Sequence, residues 1–174
     1  MNEVSDAEVE LNKKRLRGQC HGKQQGQVAE LAFVYKAAKL GFAVSKPYGD
    51  NERYDFIVDS GKRLWRVQVK STYALVDRDC YRLGTYWKSI SNKHLPYSPD
   101  QVDFLVGYIV PEDVWYLIPI EALALRKGLR LYPFRDRHAG MYEQYREAWH
   151  LWSSVAATGD GTVQLSRHSE HIDR

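Results

Sequence analysis

Asp55, Gln68 and Lys70 are the residues whose types and spacing could do chemistry together. They sit in residues 54–72, YDFIVDSGKRLWRVQVKST, two strand-like runs around the turn Asp59-Ser60-Gly61-Lys62. The second run alternates strictly, so Trp65, Val67 and Val69 point one way and Leu64, Arg66, Gln68 and Lys70 the other. Strand rise then sets Gln68 and Lys70 about 7 Å apart on one face. Asp55 on the paired strand can meet them if the register is right. The chemistry this set suits is phosphodiester hydrolysis. A divalent ion polarises a phosphate and acidifies an attacking water. Mg²⁺ takes one or two carboxylates and keeps its other positions for water and phosphate. Asp55 offers a carboxylate, Gln68 a neutral carbonyl oxygen, and Lys70 a charge that can orient water or stabilise developing charge.

These groups need a helix and a sheet to position them. Residues 26–40 read as a helix with Val28, Leu31, Ala32, Tyr35 and Ala38 as its apolar stripe and Gly41 as its C-terminal stop. Glu30 falls in the first turn of that helix, off the stripe. A carboxylate there complements the helix dipole in any protein; beside Asp55 it could also serve a metal. Residues 42–45 read as a short strand. Residues 103–110 and 114–118 read as a hairpin, with Asp103 holding a turn or a cation. Residues 120–125 read as a short helix, and 140–153 as a helix with Met141, Tyr145, Ala148, Trp149 and Trp152 on one face.

The order of helical Glu, then Asp, then Q-x-K on a strand thirteen positions on (68 − 55) resembles the PD-(D/E)XK nuclease superfamily. The likeness is nearest to its group I intron homing endonucleases and archaeal Holliday-junction resolvases. It runs from about residue 26 to 122 through GQVAELAFVYKAAKLGFAV, YDFIVD, RVQVKST and PYSPDQVDFLVGYIVPEDVWYLIPIEAL. It implies an α/β, restriction-endonuclease-like core with a central mixed sheet of about five strands flanked by helices. It also implies catalysis by Glu30, Asp55, Gln68 and Lys70, with Glu30, Asp55 and Gln68 binding Mg²⁺ or Mn²⁺. Tyr54 stands where the motif has Pro, and Gln68 where it has an acid, which removes one negative charge. The implied reaction is cleavage of double-stranded DNA of the homing type. Junction resolution, or DNA binding by an inactive module, are the alternatives. Two cuts need two sites, so a dimer or tetramer is expected.

Composition agrees without deciding. The 174 residues carry a formal charge of +3, and 44% are hydrophobic. That mild basicity permits nucleic acid. Lys46 and Arg53 near the site, Arg66 on the strand, and Arg78, Arg82, Lys88 and Lys93 among the aromatics of residues 73–100 are candidate phosphate contacts. Cys20 and Cys80 make no disulfide framework. No apolar run is long enough for a membrane span, so a soluble, cytoplasmic protein is expected. The expected organisation is a polar arm over 1–25, the nuclease domain over 26–155 and a polar tail over 156–174. The arm's basic cluster is Lys13, Lys14, Arg15 and Arg17, and the tail carries His168 and His171.

Overall fold

Leu64–Thr72 is the middle strand of the main sheet, because both of its edges are hydrogen-bonded to neighbouring strands. The computed structural model describes Ser5 and residues 22–49, 51–136 and 140–153. Within these, helix α1 is Gly22–Lys39. The strands are β1 Ala43–Ser45, β2 Phe56–Asp59, β3 Leu64–Thr72, β4 Leu75–Asp77, β5 Cys80–Gly84, β6 Tyr86–Lys88, β7 His94–Pro96, β8 Phe104–Ile109, β9 Val114–Pro119 and β10 Gly128–Leu131. A four-residue helix α2, His150–Ser153, follows. The expected basic cluster, Cys20, His168 and His171 lie outside the described residues, as does the tail over 156–174.

The main sheet runs β1-β2-β3-β8-β9. Only β3–β8 is parallel; the other three pairs are antiparallel, so the sheet is mixed as expected. β8 is buried at every position, as a strand covered on both faces must be. One face packs Phe56, Val58, Val67, Val69 and Val106 against α1 and Trp152. The other packs Leu105, Ile109, Tyr116 and Ile118 against a second sheet, β10-β5-β4, through Leu83, Leu129 and Leu131.

Gly107 on β8 lets that second sheet come close. A Cβ there would stand 2.7 Å from Leu83 Cδ2, and Leu83 is buried. Gly107→Ala is therefore expected to cost about 1–3 kcal/mol through overpacking. Urea denaturation measures this; an unchanged midpoint would mean that Leu83 has room to turn away.

Two expectations about the helices are corrected. α1 begins at Gly22, inside the segment read as an arm, so Glu30 stands eight residues (30 − 22) from the start, beyond the first turn. Its buried row is Ala29, Phe33 and Ala37, while Leu31 and Tyr35 are 72% and 70% exposed. Apolar residues occur all round this helix, and the small alanines win the sheet because they allow close approach. The helix read over 140–153 is instead a 3₁₀ turn, Glu143–Tyr145, followed by α2. Between them Arg146 bridges Tyr116 at the β9 edge, and Glu147 adopts φ +49°. Its N–H donates to the Trp115 carbonyl, and its Oε1 accepts the Trp115 N–H at 2.8 Å. Sheet-edge hydrogen bonds thus replace helical ones. Residues 73–100, where candidate cations sit among aromatics, form β4 to β7, and β10 falls where no strand was expected.

Candidate active site

The register brings Asp55 to Gln68. Phe56 pairs with Val67, so Asp55, one residue before β2, stands level with Gln68, and its N–H donates to the Val67 carbonyl at 2.9 Å. Asp55 Oδ2 accepts the Gln68 Nε2–H at 2.5 Å and the Val69 N–H at 2.8 Å. Gln68 is 7% exposed, and its Nε2 also donates to the Val69 carbonyl at 3.2 Å. The short turn after β2 holds this register: Gly61, at φ +75°, donates its N–H to Asp59 Oδ1, and Ser60 and Arg63 exchange hydrogen bonds.

Two residues along the same face, the Lys70 ammonium lies over the Tyr97 ring, 5.5 Å from its centroid. Burial pulls the Lys70 ammonium below its ordinary value, although the charges of Asp55 and Glu30 hold it up. Burial pushes the Asp55 carboxyl up. The Val69 hydrogen bond and the Lys70 charge oppose that shift without cancelling it, and the Glu30 charge adds to it. These couplings place Glu30, Asp55 and Lys70 in one electrostatic neighbourhood. Burial and the Asp55 charge also raise the Tyr97 hydroxyl, which stays protonated at neutral pH.

Glu30 reaches the site from α1. Its Oε2 accepts from Lys46 Nζ at 2.7 Å, a hydrogen bond that raises the lysine's pKa. Glu30, Lys46, Glu52, Tyr54 and Asp55 line one cleft of about 480 Å³. Glu52 was missed by sequence reasoning. Its only signal was its place three residues before Asp55 in a polar loop.

The structure thus gathers Glu30, Asp55, Gln68 and Lys70. Among the described residues no three His, Cys, Asp or Glu groups converge on a metal position. The donors on hand are two carboxylates and an amide. All are hard oxygen ligands of the kind Mg²⁺ and Mn²⁺ accept, and a cation would relieve the cost of keeping Asp55 ionised. The set fits such an ion.

The candidate phosphate contacts scatter. Arg53, in the loop before β2, stacks on Trp87 at 3.7 Å. Arg66 is engaged within the protein: Nε and Nη2 reach Asp103, and the guanidinium also donates to the carbonyls of Pro99 and Asp100. Asp103 therefore holds a cation, as its position suggested. Lys88 and Lys93 are exposed at the β6–β7 hairpin, where Tyr86 stacks on His94 at 3.9 Å. Arg78 and Arg82 are exposed on the second sheet. Cys80 is a buried free thiol, and no helix among the described residues is long and apolar enough to cross a membrane.

Comparison with known proteins bears on the family and the fold. No curated protein sequence matches the chain. A bacterial homing endonuclease of known structure superposes with a TM-score of 0.63 at 28% identity, over 76% of this chain and 91% of that one. A Holliday junction resolvase from the archaeal hyperthermophile Archaeoglobus fulgidus superposes with a TM-score of 0.48 at 14% identity, over 75% and 98%. The first of these carries the assignment of a restriction-endonuclease-like fold. The family model described as PD-(D/E)XK endonuclease matches residues 20–152. With Asp55, Gln68 and Lys70 joined on the β2–β3 hairpin and Glu30 facing them, that match over most of the chain establishes that this protein belongs to the PD-(D/E)XK endonuclease family.

Proposed function

We propose that the protein is a Mg²⁺- or Mn²⁺-dependent endonuclease that hydrolyses double-stranded DNA, of the site-specific homing type. The observation that carries the reading is Asp55: a buried carboxylate held by Gln68 and Val69, coupled in charge to Glu30 and Lys70. The likeness to a bacterial homing endonuclease over 91% of its length favours that type.

In this reading Asp55 and Glu30 would hold the ion, with the Gln68 carbonyl oxygen as a neutral ligand. Bound there, the ion polarises the scissile phosphate and acidifies a water. Gln68 now turns its amide nitrogen to Asp55, so serving as a ligand requires the amide to turn over. Lys46 must release Glu30 to let it join. The Lys70 ammonium, seated over Tyr97, orients the attacking water and stabilises charge as the phosphate becomes five-coordinate. Lys46 and Arg53 contact DNA phosphates beside the cleft, and the exposed Arg78, Lys88 and Lys93 contact them further out. Cutting both strands calls for two such sites, hence a homodimer or homotetramer.

The test is nicking of supercoiled plasmid by the full chain with and without Mg²⁺. Conversion only with the divalent ion is expected; no conversion with either Mg²⁺ or Mn²⁺ rejects the reading in favour of an inactive DNA-binding module. The pH profile is expected to be bell-shaped. Asp55 must be ionised, and burial raises its pKa, so the acid limb lies above the ordinary carboxylate value. Lys70 must be protonated, and burial lowers its pKa, so the alkaline limb lies below the ordinary lysine value. Single-turnover rates across pH check both limbs. A flat profile from about pH 5 to about pH 9.5 (about 1 unit inside the ordinary values) removes these two groups from the rate.

A further inference from the structure

The second sheet presents a like-charged pair to solvent. β5 and β10 run antiparallel with Arg82 directly opposite Arg130, and Gly84 opposite Gly128. Leu83, Tyr81, Leu129 and Leu131 turn inward, so period-two alternation turns both arginines outward, and both are exposed. Opposed residues in such a ladder stand about 4.5–5.5 Å apart at Cα, and like charges placed there repel. Lys127 adds a third cation to the same open cleft, about 450 Å³ in volume and also lined by Val76 and Gly128.

No acidic side chain lines this cleft. Asp77 Oδ1 accepts the Arg78 N–H, and Asp79 pairs with Arg135 at 2.5 Å. Among the described residues, Arg82, Lys127 and Arg130 have no ion-pair partner. The cleft is tied to the candidate active site through the backbone. Thr72 lies two residues beyond Lys70 on β3, and its hydroxyl donates to the Arg82 carbonyl at 2.8 Å.

A bound anion would turn the repulsion into attraction, and a guanidinium fork matches a phosphate's paired oxygens. We propose that Arg82, Arg130 and Lys127 form a clamp for the phosphate backbone of duplex DNA, beside the cleavage centre and blind to base sequence. The clamp rests on the endonuclease reading for its substrate, and it adds two cations, Lys127 and Arg130, to the candidate phosphate contacts read from the sequence.

Fluorescence anisotropy with a labelled random-sequence duplex, without divalent ion, tests it. Withdrawing one cation from a DNA phosphate lowers the slope of log affinity against log salt by about 1, so Arg82→Gln with Arg130→Gln is expected to lower it by about 2. Arg130→Gln alone is expected to lower it by about 1. The same variants are expected to melt slightly higher than wild type at low salt, by about 1 °C, because the repulsion is gone. An unchanged slope overturns the clamp and leaves the endonuclease reading standing. A lower slope in a protein that binds duplex but never nicks it supports the clamp and removes the endonuclease. Failure of wild type to bind duplex at low salt removes both.

Discussion

Asp55→Asn is expected to lower Mg²⁺-dependent plasmid nicking by at least about 10²–10³-fold, with Lys70→Ala falling by a similar factor. The two losses have different causes, and a second measurement separates them. Asn keeps an oxygen that can accept the Val69 N–H, so the β2–β3 register survives. What it removes is the charge that would draw a divalent ion into the cleft. If the ion binds only the folded state, at 100 times its dissociation constant it stabilises by about 2.7 kcal/mol. Wild type should therefore melt higher in Mg²⁺, and Asp55→Asn should not. Lys70→Ala should keep the Mg²⁺-dependent rise while losing the rate, because its ammonium acts on water and phosphate. Unchanged nicking in both variants would exclude this assignment, whatever the melting curves show.

The largest expected effect on stability comes from Glu143, far from that cleft. It is fully buried, with Oε2 accepting the Tyr116 hydroxyl at 2.7 Å and Oε1 the Tyr132 N–H at 2.7 Å. Arg146 stands 3.7 Å away and also holds the carbonyls of Pro133 and Arg135. Burial and the Glu143 hydrogen bond raise the Tyr116 hydroxyl, so it remains a donor at neutral pH. Glu143→Ala leaves the Tyr116 hydroxyl and the Tyr132 N–H without their acceptor and the partly buried Arg146 guanidinium without its counter-charge. Breaking such a buried set costs about 3–5 kcal/mol, which for a chain of this size is about 6–20 °C in melting temperature. Glu143→Gln keeps the shape and one acceptor, and is expected to lose less. A shift under about 1 °C for the alanine variant would show that Glu143 does not fasten the C-terminal segment to β9.

Much of the site was legible because it is local. Strict alternation in β3 put Gln68 and Lys70 on one face, and turn residues close behind β2 fixed the pairing that brings Asp55 alongside. Glu30 was legible through family likeness more than through its helix. The real helix start moves it beyond the first turn, where the dipole explanation lapses. What was illegible depended on distant partners. The buried row of α1 consists of two alanines and a phenylalanine, and hydropathy favours the larger Leu31 and Tyr35 that face outward. The stripe over 140–153 has helical spacing, but the unpaired edge of β9 offered Glu147 and Arg146 better partners. β10 is four residues long and exists because β5 lies beside it. Tyr97, over which Lys70 sits, comes from the loop after β7, and no local pattern announces that contact.

The parallel β3–β8 pair has a kinetic consequence. Asp55, Gln68 and Lys70 come from one hairpin whose ends meet across a short turn, and closing so short a loop is fast. β8 can join only after the whole crossover from Thr72 to Phe104 has been threaded, and that crossover carries Tyr97. Loop-closure entropy makes such a pairing a late event. The β2–β3 pairing that joins acid and amide is therefore expected to form before β8 docks, and the aromatic cover over the amine to follow with that docking.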